Sequence, residues 1–204
     1  AEKYDLLVLE DSPYREIRFE GEPQRMMCEL DTTGRVISLC TFSKILSPGF
    51  RLGWVIGNEE IIDRMVMAKQ TADLCTSAFV QKIIARYIEK GLLDLNLRKT
   101  ITLYGERRNY MIECLREYMP SNVTWTEPQG GLFLFVTLPA GIDSDLVLKK
   151  SIEKNVAFVS GSSFFCNDSG RNTMRLNFSF SPPPDIREGI MRLASVIREE
   201  IKGS

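Results

Sequence analysis

The sequence predicts an α/β fold, and three observations carry that prediction. Two nearly uninterrupted apolar runs, Leu6-Leu7-Val8-Leu9 and Val36-Ile37-Ser38-Leu39-Cys40, read as strands covered on both faces, the pattern of a parallel sheet flanked by helices. Between Glu59 and Tyr118 the apolar residues recur at helical spacing. After Pro120 the period changes to that of strands, which adds a compact α+β unit to the strand-rich start.

Taken in order, the first strand runs from Asp5 to Glu10 and stops at the polar turn Asp11-Ser12-Pro13. The second, VISLCT, runs from Val36 to Thr41 and leads into Ser43-Lys44; GWVIG, from Gly53 to Gly57, is a third and short one. Asn58 caps the next helix, with Glu59 and Glu60 where the positive end of the helix dipole favours acids. Ile61, Ile62, Met65, Val66 and Ala68 form its buried face. Thr76 or Ser77 caps a second helix carrying Val80, Ile83, Ile84, Tyr87 and Ile88, and Gly91 stops it. A long helix follows from Leu92 to Tyr118, with Leu97, Ile101, Tyr104, Met111, Ile112 and Leu115 at its apolar positions. Val123 to Leu138 reads as two strands around Pro128-Gln129-Gly130-Gly131. Ser144 to Asn155 is a helix, and Ala157 to Ser160 and Met174 to Phe180 are strands. After Pro182-Pro183-Pro184, Asp185 caps a final helix with Ile186, Ile190, Leu193, Ile197 and Ile201 on one face. A soft boundary near Leu92 divides the chain into residues 1–92 and 93–204.

Composition excludes several chemistries. A net charge of −1 argues against a binder of nucleic-acid backbones, which needs a basic excess. The chain has no histidine, so imidazole acid–base catalysis, Ser-His and Cys-His nucleophiles and His-ligated zinc are ruled out, and no metal is expected. The five cysteines form no C-x-x-C pair and their count is odd, so they read as free thiols of a cytoplasmic protein, with Cys40 and Cys114 in the core. No signal peptide opens the chain and no apolar run has membrane-spanning length. There is no initiator Met, and the strands near the start are too few for a doubly covered sheet. Both points lead us to expect a fragment of a longer protein, with further strands and helices upstream.

Chemistry gathers at the strand ends, where open α/β sheets bind ligands. Asp11 and Tyr14 follow the first strand; Thr41, Ser43 and Lys44 follow the second; Arg51 comes after the Pro48-Gly49 turn. Singly, each has a plainer reading. Lys44 alone is a solvated strand-end lysine, Asp11 a turn residue before Pro13, and Tyr14 a packing phenol. Thr41 and Ser43 are ordinary turn formers, and Arg51 suits a surface ion pair. Together they supply what pyridoxal phosphate (PLP) chemistry needs: an amine for the aldehyde, a carboxylate for the pyridine nitrogen, a phenol for the ring oxygen, and hydroxyls with a guanidinium for the phosphate.

The segments VLEDSPYREIRF, TFSKILSPGFRLGW, EPQGGLFLFVTLP, FVSGSSFF and MRLNFSF closely resemble, in order and spacing, motifs of the class I/II PLP-dependent aminotransferases of fold type I, the aspartate aminotransferase superfamily. In style they are closest to the branch holding the 2-aminoadipate and kynurenine aminotransferases and the MocR regulators. The resemblance implies an α/β fold in which residues 1–92 are the end of the PLP-binding large domain and 93–204 the small domain. It implies that Lys44 forms the Schiff base with PLP and moves the proton, that Asp11 pairs with the pyridinium, and that Tyr14 bonds the ring oxygen. It gives the phosphate to Thr41, Ser43 and Arg51, and the substrate α-carboxylate to Arg175, which its flanking residues favour over Arg171. Gly130-Gly131 falls near the substrate. A homodimer, amino acid and 2-oxo acid substrates, and further cofactor ligands upstream are also implied, so the 204-residue chain alone is expected to be inactive. The alternative is the effector domain of a MocR-type transcription regulator, which an upstream winged helix-turn-helix distinguishes; a β-lyase or decarboxylase-like reaction and a non-catalytic binding domain are further readings. Phe133, Phe135, Phe164, Phe165, Phe178 and Phe180 read as core and pocket wall, and Arg107-Arg108 as a solvated helix face.

Overall fold

A computed structural model describes residues 1–167 and 169–203, which form two compact units, 1–101 and 102–203. The first unit holds a three-stranded sheet of β1 (Val8–Asp11), β2 (Val36–Thr41) and β3 (Gly53–Ile56), in that order. β1 and β2 are parallel and β3 runs antiparallel to β2. A short helix, α1 (Met27–Leu30), lies in the crossover from β1 to β2. Glu10 ties it to the sheet, accepting from Ser38 Oγ on β2 and from the Met27 amide.

Helices α2 (Glu59–Ala72), α3 (Ala78–Glu89) and α4 (Leu92–Tyr118) follow. Asn58 caps α2 by accepting from the Glu60 amide, and Ser77 rather than Thr76 caps α3. Gly91 stops α3 at a positive φ of 67°, which glycine adopts without a Cβ penalty. Burial departs from the periodicity. α2 buries no residue, and Met65 and Val66, expected in a covered face, are exposed. Leu6, Leu7 and Leu9 are exposed too, so β1 is not covered on both faces. The apolar runs give these segments their strand and helix form, but what covers a face is decided by neighbours that a local pattern does not contain. The core of this unit is Ile17, Met26, Ile37, Ile45 and Ile84.

α4 crosses the division between the units and buries its second half: Met111, Ile112, Cys114 and Leu115. The second unit's sheet has the order β4 (Thr124–Trp125), β5 (Phe133–Thr137), β7 (Thr173–Asn177), β6 (Val159–Ser160), all antiparallel. α5 (Ser144–Glu153) and α6 (Pro183–Gly203) pack together, with Val147, Ile186, Ile190, Leu193, Val196 and Ile197 buried. α6 begins at Pro183, so Asp185 sits in its first turn rather than at its cap; proline's missing N–H costs nothing at that position. Cys114 is buried and Cys40 only half-buried, and burial raises both thiols above their usual range. Among the described residues no helix is long and apolar enough to cross a membrane.

Candidate active site

Strand direction gathers the first unit's candidate residues. Because β1 and β2 are parallel, Asp11 at the end of β1 pairs with Leu39 near the end of β2. Because β3 is antiparallel, its first residue, Gly53, pairs with Thr41 at the same edge. Asp11, Thr41, Ser43, Lys44 and Arg51 therefore all lie at one end of this sheet. By register Asp11 and Thr41 share a face, since Leu39 and Thr41 are two positions apart.

The loop from Phe42 to Leu52 is tightly bound to its base. The Phe42 amide and the Thr41 hydroxyl both donate to the Leu52 carbonyl, at 3.0 and 3.2 Å. Thr41 Oγ1 lies 3.0 Å from Ser43 Oγ and accepts from the Ser43 amide, so the two hydroxyls sit side by side. The Phe42 amide-to-carbonyl turn continues through Leu46 and Ser47, whose amides both donate to the Phe42 carbonyl. This turn presents Lys44 to solvent. Ser47 then caps a 3-10 turn, Pro48–Phe50, and Arg51 ends it in the left-handed region at φ 50°. That conformation costs a non-glycine residue about 1–2 kcal/mol, and it directs the chain back into β3. At Gly53 a Cβ would meet the Cys40 carbonyl oxygen at 2.6 Å, so only glycine lets β3 approach β2 here. Phe42 and Trp54 pack beside this crossing in a tilted pair, with ring centroids 4.8 Å apart. Tyr14 is half-buried in the turn after Asp11, where its carbonyl accepts from the Ile17 amide.

Arg175 belongs to the second unit. It lies at the middle of β7, paired with Phe135 on β5 and Val159 on β6. Its guanidinium carbon is 4.0 Å from the Phe133 ring centroid and 4.5 Å from that of Phe164, and its Nε is buried without a hydrogen-bond partner. A guanidinium held between two rings is oriented and partly stripped of water, which suits it to a carboxylate. Gly131 precedes β5 with φ 81°, so the Gly130-Gly131 turn enters the strand that carries Phe133. Of the six phenylalanines read as core and pocket wall, Phe178 is fully buried, whereas Phe180 is 87% exposed and lines a cavity beside Met111, Leu176 and Ile190.

Two residues read as a solvated helix face are tied to distant main chain, Arg108 buried and Arg107 half-buried. Arg108 is only 4% exposed and donates to the Pro128 carbonyl at 3.0 Å. Arg107 donates to the Ser179 and Phe180 carbonyls. Their side chains reach chain segments 20 and more than 70 residues away, which no helical periodicity reveals.

One end of this α/β sheet thus groups an amine, a carboxylate, paired hydroxyls and a guanidinium. The sequence profile described as aminotransferase class I and II matches residues 1–193, and the chain belongs to that family. It is 49% identical over 202 residues to the aromatic-amino-acid aminotransferase 1 of Thermococcus litoralis, covering 99% of this chain and 48% of that protein. Among solved structures it is similar to a multiple substrate aminotransferase from Thermococcus profundus, at 50% identity and a TM-score of 0.95, covering all of this chain and 51% of that one. It is also similar to a Pyrococcus horikoshii kynurenine aminotransferase solved with PMP, kynurenine and its product, at 48% identity and a TM-score of 0.95, covering 98% of this chain and 50% of that one. The chain thus spans about half the length of the relatives it matches, and its α/β architecture is that of fold type I aminotransferases.

Proposed function

We propose that the protein carrying this chain transfers an amino group from an amino acid to a 2-oxo acid with pyridoxal 5′-phosphate as cofactor. The observation that supports this most is the shared sheet edge of Asp11, Thr41, Ser43, Lys44 and Arg51. Their chemistry fits the cofactor. In this reading the adjacent Thr41 and Ser43 hydroxyls and the Arg51 guanidinium hold the phosphate dianion through charge-assisted bonds. The Asp11 carboxylate keeps a proton on the pyridine nitrogen, and the Tyr14 phenol donates to the ring oxygen. Bound there, the cofactor supplies an electron sink for the pair left when the substrate Cα–H bond breaks. Lys44 carries the cofactor through Nζ and, once freed, takes that proton at Nζ and returns it. Arg175 fixes the substrate α-carboxylate from its slot between Phe133 and Phe164.

In the same reading, residues 1–92 are the end of a cofactor-binding domain, residues 93–204 are a small domain, and the protein works as a homodimer. The 204-residue chain alone turns over too slowly to measure, because it spans only half of its relatives' length. A regulator's effector domain is the weaker reading, since the 49%-identical relative is named an aminotransferase.

The test is reductive trapping: the protein is mixed with pyridoxal phosphate, reduced with borohydride and mapped by mass spectrometry. Selective modification at Lys44, lost in Lys44→Ala and diminished in Arg51→Ala, is the expected result. No Lys44 modification in the chain, nor in the native protein that carries it, would sink the assignment.

A further inference from the structure

We infer that Arg107 and Arg108 are positioning residues, a double clamp from α4 that sets the geometry of the Arg175 slot. This rests on the reading of Arg175 as the carboxylate-binding residue. Arg175 and Phe133 meet because β5 and β7 pair in one register: Phe133 lies opposite Asn177 and Phe135 opposite Arg175. The start of β5 and the end of β7 fall at the same edge of this pair, and both arginines act there. Arg108 donates to the carbonyl of Pro128, in the turn that leads into β5. Arg107 donates to the carbonyls of Ser179 and Phe180, just after β7.

Both segments lie beyond the β5–β7 ladder, which ends at the Phe133–Asn177 pair. The β7 exit is a side-chain turn, in which Asn177 Oδ1 accepts from the Ser179 and Phe180 amides. The last backbone bond across the edge is from the Phe178 amide to the Leu132 carbonyl, at 3.2 Å. Both guanidiniums act where the β5–β7 ladder ends, and each donates to the main chain there. A slide or splay of this edge displaces Phe133 relative to Arg175, whose guanidinium lies 4.0 Å from that ring. A misplacement of about 1 Å at a binding group weakens function by up to a hundredfold. The clamp thus acts on carboxylate affinity through Arg175 without touching the substrate.

The test reads the Arg175 Nε–Hε resonance in the isotope-labelled 204-residue chain. Two rings face this guanidinium, so the resonance carries a ring-current shift. Arg107→Ala alters a half-exposed position and Arg108→Lys keeps the buried charge while losing the fork, so the first variant decides should the second fail to fold. Both are expected to move the resonance toward its unstructured value while circular dichroism stays folded, and Arg107→Lys is expected to restore part of it. Titration with 3-phenylpropionate is expected to show affinity weakened about ten- to a hundredfold in the clamp variants. An unchanged resonance in the folded variants overturns the clamp. Failure of the underlying reading looks different: Arg175→Ala binds 3-phenylpropionate as well as the unaltered chain does, while the resonance still depends on Arg107.

Discussion

Gly53 and Arg51 are two residues apart and use the backbone in opposite ways. Gly53 is needed for what it lacks, since a Cβ would lie 2.6 Å from the Cys40 carbonyl oxygen. Gly53→Ala is expected to destabilise the first unit by about 1–3 kcal/mol, read by urea unfolding. Arg51 occupies a left-handed conformation that glycine adopts more easily. Arg51→Gly is therefore expected to leave stability unchanged or raise it by up to about 1 kcal/mol, yet to lower pyridoxal phosphate trapping at Lys44. A loss of stability would show that the guanidinium's bond to the Pro48 carbonyl outweighs the strain. The identities of these residues were legible in the sequence because strand ends and a Pro-Gly turn flank them. The slot of Phe133, Arg175 and Phe164 was not. It depends on a register between segments some 40 residues apart, and periodicity within one strand carries no register with another.

At the level of elements, the crossover from β1 to β2 is held by carboxylates, which makes its stability depend on pH. Asp31 Oδ1 and Oδ2 accept from the Thr33 and Val36 amides, each at 2.8 Å, and these bonds, led by that from Thr33, lower its carboxyl from 3.8 to about 2. Burial tends to raise Glu10, but bonds from Ser38 and from the Met27 and Cys28 amides outweigh it and leave it below 4.5. Both carboxyls are depressed on folding. Their contribution is present above the unfolded values and lost as pH falls through the folded ones. Acid is expected to weaken the first unit progressively below pH 4.5, and for Asp31 the loss continues through pH 2. Glu10→Gln should flatten the upper part of that profile and Asp31→Asn the lower, followed by Trp54 fluorescence; identical profiles in all three proteins would refute the linkage. The sequence foretold the cap at Asn58 and the full span of α4 and narrowed the α3 cap to Thr76 or Ser77, because capping chemistry and long periodicity are local. It missed this carboxylate anchoring: Asp31 bonds locally, but Glu10 reaches Met27 and Ser38, 17 and 28 residues away.

For the molecule as a whole, the two units differ in how much they bury. The second closes around Leu115, Leu134, Val136, Val147, Met174, Phe178, Leu193 and Ile197, all nearly inaccessible. The first leaves Leu6, Leu7, Leu9, Trp54, Val55 and Ile56 open along its sheet. Less apolar burial means less stabilisation, so the first unit is expected to unfold at lower urea than the second. Each unit has one tryptophan, Trp54 and Trp125, so Trp125→Phe and Trp54→Phe report the units separately. Coincident transitions would show a single cooperative structure instead. The fold class was readable from the order of strands and helices; the unequal cover of the two units was not, because burial depends on which faces meet.

The pairing of Thr41 with Gly53 also has a kinetic consequence. It closes a short loop that contains Ser43, Lys44 and Arg51, whereas joining β1 to β2 requires closing the longer span from Asp11 to Val36. Shorter closures lose less chain entropy and form sooner. During folding the amine and the guanidinium are thus brought to one place before the carboxylate of Asp11 arrives, and pulse-labelled amide exchange should protect Phe42 ahead of Ser12.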